Sequence, residues 1–146
     1  MSTNSVIRWA PLREVATVVM GQSPPSSAYN TAGNGLPFFQ GKAEFGALHP
    51  AVAKWCTAPT KLAEPEDVLM SVRAPVGPTN LATERCCIGR GLAAIRPNAG
   101  IRSKWLLYAF RSMESAINDL GTGTTFRAIS GETLRQLEVP IAGTEH

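Results

Sequence analysis

Residues 67–77, which read Asp-Val-Leu-Met-Ser-Val-Arg-Ala-Pro-Val-Gly, constrain the fold more than any other segment of the chain. Pro75 cannot donate a hydrogen bond to a sheet, and Gly77 permits backbone angles that other residues avoid. Both residues therefore end the strand that precedes them. The alternation of side chains predicts this strand over residues 67–73, with Val68, Met70 and Val72 on one face and Leu69, Ser71 and Arg73 on the other.

Arg73 lies at the end of this predicted strand, beside a stiff loop. A guanidinium group held in that way can reach a phosphate or a guanine edge with little loss of side-chain freedom. The alternative is an ion pair with a carboxylate across the sheet, and the residue types leave both interpretations open.

Strands and two helices account for most of the remaining pattern. Ser103 is the predicted N-cap of one long helix that ends before Gly121, and its apolar face carries Trp105, Tyr108, Ala109, Met113, Ala116, Ile117 and Leu120. A short second helix starts at Ser130, runs to Leu137 and is terminated by Pro140. Further strands are predicted at residues 6–9, 15–19, 38–40, 52–55, 80–82, 86–88 and 92–95. The sequence therefore predicts an α+β, strand-rich domain with one long helix and a short C-terminal helix.

Bulk properties indicate one domain over residues 1–146, with 44% hydrophobic residues. We expect a cytoplasmic protein, because no apolar run could cross a membrane and the N-terminus lacks a signal-peptide pattern. The net charge of +3 is mild. Residues 85–113 nevertheless contain six basic residues and no acid, which suits either a phosphate-facing surface or a solvated face. The three cysteines are expected to be free thiols, since Cys86 and Cys87 are adjacent.

The sequence offers no convincing catalytic or metal-binding arrangement. Pro24 follows Ser23 and removes a backbone donor that an oxyanion hole would use. His49 and Cys56 could be imagined as a pair, but no third group that would orient them is evident. We therefore expect no enzymatic activity, no bound metal and no cofactor. An enzyme that uses Cys86 or Cys87 is the remaining catalytic alternative.

Several short segments, taken in order, carry a family resemblance. They are residues 12–16 (Leu-Arg-Glu-Val-Ala), 21–25 (Gly-Gln-Ser-Pro-Pro), 35–41 (Gly-Leu-Pro-Phe-Phe-Gln-Gly), 71–77 (Ser-Val-Arg-Ala-Pro-Val-Gly), 88–91 (Ile-Gly-Arg-Gly), 121–126 (Gly-Thr-Gly-Thr-Thr-Phe) and 129–130 (Ile-Ser). Together they resemble the target-recognition domain of type I restriction-modification specificity subunits.

The resemblance implies a non-catalytic component of a system that defends against foreign DNA. Such a subunit reads a sequence in double-stranded DNA on behalf of methyltransferase (M) and restriction or translocase (R) subunits. Those partners would hold S-adenosylmethionine and ATP. A full member of the family carries a second recognition half, and long spacer helices separate the two. This chain would lack those helices, since the first would begin at about Pro140.

Candidate DNA contacts come from polar and basic side chains near these motifs. Gln22 and Asn30 have the amide geometry that matches adenine in the major groove, although Ser26 and Asn30 could instead be turn formers. Large aromatic side chains could stack on bases but are more often core residues. The complete set of candidates is Gln22, Ser23, Ser26, Tyr29, Asn30, Gln40, Lys42, Arg73, Arg90, Thr124 and Arg127.

Two expectations follow for the whole chain. It should keep its fold but bind DNA weakly, because partner subunits would normally add most of the phosphate contacts. The rival function is a protein-interaction module that docks a partner through the polar loop at residues 22–34 and through Leu106, Leu107 and Phe110, without touching DNA.

Overall fold

The computed structural model describes residues 6–123 and 127–143. Its helices are α1 (Leu12–Val15), α2 (Ser103–Ser112), α3 (Glu114–Asp119) and α4 (Gly131–Gln136), and short 3-10 helices cover Ser26–Ala28 and Lys42–Glu44. Its strands are β1 (Val6–Pro11), β2 (Ala16–Met20), β3 (Tyr29–Asn30), β4 (Leu36–Phe39), β5 (Lys54–Cys56), β6 (Leu62–Ala63), β7 (Val68–Ser71), β8 (Thr79–Leu81), β9 (Cys86–Ile88), β10 (Leu92–Pro97) and β11 (Glu138–Gly143).

These strands form three sheets in the described part of the chain. A four-stranded sheet has the order β2-β10-β7-β8, and a five-stranded sheet has the order β3-β5-β4-β9-β6. The third sheet is a ribbon in which β1 pairs antiparallel with β11. Only the β4–β9 pair is parallel among these pairings. The predicted α+β, strand-rich class is confirmed.

The four-stranded sheet is buried on both faces. Val68 and Met70 of β7 belong to a core that includes Leu106 and Phe110 of α2, whereas Leu69 between them belongs to a second core that includes residues of the five-stranded sheet. The alternation predicted for this strand is therefore correct, but neither face meets water. The fold thus has three layers, with helices, the four-stranded sheet and the five-stranded sheet stacked in that order.

The other face of the five-stranded sheet carries a smaller apolar cluster of Phe38, Cys56 and Cys87. The ring of Tyr29 stacks on Phe38, with the ring centroids 4.7 Å apart. The three cysteines are free and buried, in agreement with their expected state. Phe38 and Phe39 are core residues, whereas Trp9 and Trp105 are exposed and contradict the expectation that aromatic residues of this chain are core.

A tight turn follows β7, as the proline and glycine in the sequence predict. The Ser71 hydroxyl lies within hydrogen-bond distance of two carbonyl oxygens, those of Arg73 at 3.0 Å and Pro75 at 2.7 Å. The Gly77 amide donates to the Ser71 carbonyl, and Gly77 has a φ of 120°, which favours glycine. The strand is shorter than predicted because these bonds fold the chain back directly after Ser71.

The single long helix predicted from Ser103 is wrong, because two helices, α2 and α3, meet at Met113. The Ser112 hydroxyl donates to the Ala109 carbonyl, and Met113 adopts a φ of −111° that is not helical. The N-cap is Arg102, and Ser103 is the first helical residue.

The buried face of α2 also differs from the predicted one. Residues 105–110 are all apolar or aromatic, so periodicity alone does not fix which face is buried. Leu106, Leu107 and Phe110 are fully buried, while Trp105 and Tyr108 are exposed. The predicted docking surface made of those three buried residues is therefore wrong.

The C-terminal part of the described chain forms α4 and β11. Ser130 caps α4, since its hydroxyl oxygen accepts from the Thr133 amide at 3.1 Å. Pro140 does not terminate a helix and does not begin a spacer helix. It lies inside β11, directly opposite Trp9 of β1.

Candidate functional site

Several chain segments meet at one edge of the two large sheets. The carboxyl ends of β2, β4, β7 and β9 lie there, together with the start of β10. Backbone hydrogen bonds join the loops that follow these ends, such as the bond from the Gly21 amide to the Leu92 carbonyl at 2.8 Å. We call this edge the loop junction and define it by residues 21–23, 40–42, 72–73 and 89–91.

Three of the predicted DNA-contact residues, Ser23, Gln40 and Arg90, are joined by hydrogen bonds at the loop junction. The Ser23 hydroxyl oxygen lies 2.7 Å from Nε2 of Gln40 and 3.1 Å from the backbone nitrogen of Arg90, and it accepts from both. The Ser23 hydroxyl hydrogen and the side-chain oxygen Oε1 of Gln40 make no hydrogen bond to another side chain or backbone group of the described residues. Ser23 thus fixes the backbone of Arg90, while the Arg90 side chain is exposed.

Glycines permit this crossing of loops. A Cβ atom at Gly21 would lie 1.9 Å from the Gly89 carbonyl oxygen, and one at Gly91 would lie 2.6 Å from the Gln40 carbonyl oxygen. Side chains at these positions would collide with backbone that cannot move away cheaply. Gly21 and Gly91 therefore let the loops that follow β2, β4 and β9 cross closely.

The loop junction continues toward two further candidates. The Val72 amide donates to the Gly91 carbonyl at 2.9 Å, which places Arg73 next to the Arg90 loop. Arg73 forms an isolated bridge with Ala128, and the Ala74 amide donates to the Arg127 carbonyl at 2.8 Å. The Arg73 side chain is exposed. The structure therefore brings Arg73, Arg90 and Arg127 to neighbouring segments of one edge.

Gln22 and Lys42 also belong to the loop junction and have exposed side chains. The Gln22 amide donates to the Ile88 carbonyl, and the Gln22 carbonyl accepts from the Thr60 hydroxyl. Sequence reasoning missed Thr60 and its neighbour Lys61, which is exposed and whose carbonyl accepts from the Ile88 amide at 3.0 Å. No motif marks these two residues, since only the pairing of β6 with β9 brings them here.

The other polar-loop candidates lie apart from the loop junction. Tyr29 and Asn30 form the edge strand of the five-stranded sheet, and Ser26 begins the 3-10 helix before it. The Asn30 carboxamide oxygen accepts from the amides of Ala32 and Asn34, so Asn30 organises a turn. Tyr29 donates its hydroxyl to the Pro24 carbonyl at 2.8 Å. Thr124 and Phe126 lie outside the described residues.

Several cations of the acid-free stretch are bound within the protein. Arg96 donates to both carboxylate oxygens of the buried Asp67, at 2.9 and 2.8 Å, and this hydrogen bonding raises the pKa of Arg96. Arg85 pairs with Glu64 at 3.1 Å. Arg111 donates to the carbonyls of Ala47 and Thr79. The stretch is therefore not one continuous phosphate-facing surface, although Arg90 within it stays exposed.

Cysteine chemistry finds little support in this geometry. Burial raises the pKa of Cys86 to about 12, with a smaller contribution from the charge of Cys87, and burial raises the pKa of Cys87 as well. A raised pKa disfavours the thiolate that a nucleophile needs. Within residues 6–123 and 127–143, no three His, Cys, Asp or Glu side chains come together as metal ligands, and no helix is long and apolar enough to cross a membrane.

Comparison with known proteins identifies relatives at the level of family and fold. A family model described as the type I restriction modification DNA specificity domain matches residues 8–145. The chain is 43% identical over 129 residues to the "Putative type I restriction enzyme MjaX specificity subunit" of Methanocaldococcus jannaschii, covering 88% of this chain.

Solved structures give the same result. The HsdS subunit from Thermoanaerobacter tengcongensis superposes with a TM-score of 0.84 at 52% identity over 93% of this chain. A chain from a structure that concerns complex assembly and conformational transition of the type I R-M system superposes with a TM-score of 0.86 at 54% identity over 93% of this chain. This chain spans only 30% of the first relative and 33% and 34% of the two structures.

Proposed function

The chain belongs to the type I restriction modification DNA specificity domain family, and on that premise we propose that it reads a sequence in double-stranded DNA. It would do so as one target-recognition domain of a specificity component. Methyltransferase and restriction or translocase subunits would be its partners, and these would carry the catalytic chemistry together with S-adenosylmethionine and ATP. A second recognition half would complete the specificity component. We also expect it to act in the cytoplasm.

The loop junction is the observation that carries this proposal. Sequence readout requires hydrogen-bonding side chains on a rigid support, with cations close by for the phosphates. Ser23 and Gln40 supply polar groups that the junction holds in place, while Arg90 and Arg73 supply exposed guanidinium groups. A guanidinium can bind the O6 and N7 atoms of guanine with two hydrogen bonds or can bind a phosphate.

Residues 26–30 of the polar loop contribute to this function less directly. Asn30 and Tyr29 use their polar atoms to shape the loop, and Ser26 is exposed beside them. These residues stay candidates for contact with the outer part of a DNA site. We place the centre of readout at Gln22, Ser23, Gln40, Lys42, Arg73, Arg90 and Arg127.

A selection from a random duplex library tests the proposal. The chain is incubated with the library at low and at moderate salt, and the bound duplexes are sequenced. We expect an enriched motif that survives the rise in salt, because base contacts depend on salt less than phosphate contacts do. Binding without enrichment, lost as salt rises, would mean only a basic surface and would contradict sequence readout.

Arg90 and Arg85 provide a matched pair of variants for this selection. Both arginines are exposed and lie at opposite ends of β9, but Arg85 pairs with Glu64 and is remote from the loop junction. Arg90→Ala should weaken or relax the enriched motif at one or two positions, at a cost of about 1–3 kcal/mol for a base contact. Arg85→Ala should select the same motif as the unmodified chain.

A further inference from the structure

The exposed large hydrophobic side chains of the described residues lie outside the loop junction. Six large hydrophobic side chains are exposed, and five of them belong to β1 and α2, including Ile7 at 54%, Trp9 at 57% and Tyr108 at 54% exposure. Leu120 is the sixth and lies elsewhere. A soluble domain rarely leaves contiguous large apolar groups in water without a binding role.

Three of these side chains, those of Ile7, Trp105 and Tyr108, line a groove between the β1–β11 ribbon and α2, and Trp9 lies beside it, opposite Pro140. Ile7 lies opposite Ala142 and Trp9 lies opposite Pro140, so these side chains share the outer face of the ribbon. Ile7, Pro140, Trp105 and Tyr108 line one cavity of about 460 Å³. We call the set Ile7, Trp9, Trp105, Tyr108 and Pro140 the aromatic groove.

The aromatic groove is held in a fixed shape. Nε1 of Trp105 donates to the Pro140 carbonyl at 2.8 Å, which joins α2 to the ribbon and fixes the indole ring. The cavity extends along α2 from Arg102 to Ser112, or about 15 Å at the rise of an α-helix. A groove of that length accommodates the apolar face of a helix of about three turns.

Charge at the rim limits what the groove can bind. The charged residues that line the cavity are Arg102 and Lys104, and both are basic and exposed. A second copy of this chain, packed through the same face, would bring these cations against their own counterparts. An acidic partner would instead be attracted to the rim while its apolar side chains entered the groove.

We propose that the aromatic groove docks an acidic amphipathic helix from another protein chain. The residues that line the groove belong to β1, α2 and β11, with Arg102 directly before α2, and none of them belongs to the loop junction. Docking would therefore leave the loop junction open, and the proposal does not depend on DNA recognition. The helix would place apolar residues at spacings of three and four against Trp105, Tyr108 and Ile7, with carboxylates toward Arg102 and Lys104.

A labelled synthetic peptide tests this proposal. The probe is a fluorescein-labelled peptide of about 18 residues with leucines on one helical face and glutamates on the other. A matched peptide carries lysines in place of the glutamates. Fluorescence anisotropy with the 146-residue chain should show binding of the Glu peptide at least about tenfold tighter than that of the Lys peptide. Equal binding of the two peptides would overturn the charge argument.

Variants locate the peptide on the surface. Tyr108→Ser should weaken binding of the Glu peptide about tenfold or more, since an aromatic anchor is removed. Leu120→Ser is the control, because Leu120 is 40% exposed but lies outside the groove, and it should change nothing. Ile7→Ser gives the same test from the other wall of the groove if Tyr108→Ser does not fold. Loss of binding with Leu120→Ser alone would contradict the proposal.

Charge reversal gives the sharpest readout. Arg102 and Lys104 lie at the N-terminal end of α2, where acidic residues favour a helix, so Arg102→Glu with Lys104→Glu should fold. This double variant should prefer the Lys peptide. Arg90→Ala should weaken DNA binding and leave peptide binding unchanged, so the two proposals can fail separately.

Two outcomes would assign the groove to another occupant and overturn the proposal. One is tighter binding to vesicles of phosphatidylglycerol and phosphatidylcholine than to the Glu peptide, lost with Tyr108→Ser, which would indicate a membrane surface. The other is concentration-dependent self-association in sedimentation that Tyr108→Ser abolishes, which would indicate a second copy of the chain.

Discussion

At the scale of single residues, Arg96 and Arg85 show how burial decides what an ion pair contributes. The Asp67 side chain that binds Arg96 is 2% exposed, whereas the Glu64 side chain that binds Arg85 is 34% exposed. Asp67 also accepts from the Glu64 amide at 2.9 Å and so closes the turn before β7. A buried carboxylate with several hydrogen bonds is costly to disturb, while an exposed pair contributes little.

We therefore expect Asp67→Asn to lower the free energy of unfolding by about 2 kcal/mol, because a neutral amide can replace the shape of the carboxylate but not its charge. Glu64→Gln should lower it by less than about 1 kcal/mol. Urea denaturation followed by circular dichroism measures both values. Equal losses for the two variants would mean that burial of Asp67 does not determine the difference.

Cys86 makes the stability of the protein depend on pH in the alkaline range. Its pKa is raised from 9.0 to about 12, chiefly by burial. Below about pH 9 the thiol is protonated in both the folded and the unfolded chain. Between about pH 9 and 12 the unfolded chain loses this proton and the folded chain keeps it, so stability falls as pH rises.

Cys86→Ala should reduce that fall. The difference in free energy of unfolding between the unmodified chain and the variant should be constant below pH 9.0 and should narrow above it, by up to about 1.4 kcal/mol per pH unit. Denaturation series from pH 7 to 11 measure the difference, and the titration of other groups cancels in it. Parallel curves throughout would show that Cys86 does not carry the effect.

At the scale of elements, strands and turns could be predicted better than helix faces. β9 has the predicted bounds, and the predicted alternation of β7 is correct because a strand repeats every second residue. The buried face of α2 could not be predicted, since residues 105–110 offer apolar groups on every side. The break at Met113 depends on a hydrogen bond of Ser112, and the two-residue β6 depends on pairing with β9.

Substitution of Gly77 tests the turn after β7. Gly77 combines a φ of 120° with a hypothetical Cβ only 3.0 Å from the Glu114 carbonyl oxygen. Gly77→Ala should lower the free energy of unfolding by about 2 kcal/mol, since both strain and contact oppose the side chain. Gly41→Ala is the control, because nothing lies within 4 Å of its Cβ position and its φ is −162°. It should change stability by less than about 0.5 kcal/mol.

At the scale of the whole molecule, the candidate site is assembled from segments that are distant in sequence. Ser23 and Arg90 are 67 residues apart and share a hydrogen bond. Motif order indicated both residues, but their contact depends on the meeting of the two large sheets at one edge, which no local pattern encodes. The loop junction and the aromatic groove share no residue, so the proposed DNA surface and the proposed protein surface can be tested by separate substitutions.

The proposed DNA surface makes a prediction about salt, because the number of phosphates neutralised fixes how steeply affinity falls. Arg85, Arg96 and Arg111 are bound within the protein, which leaves Lys42, Arg73 and Arg90 as the leading exposed cations of the loop junction. If all of them meet phosphates, the slope of log K against log salt should be about −3 on a single duplex, and affinity should be weak at physiological salt.

Arg73→Ala should reduce the slope by about 1, whereas Arg85→Ala should leave it unchanged. Titrations by fluorescence anisotropy between about 50 and 200 mM salt measure these slopes. A slope that Arg85→Ala alters and Arg73→Ala does not would move the DNA surface to the other end of β9, whereas tight binding at physiological salt would mean that this domain needs no partner subunit to hold the duplex.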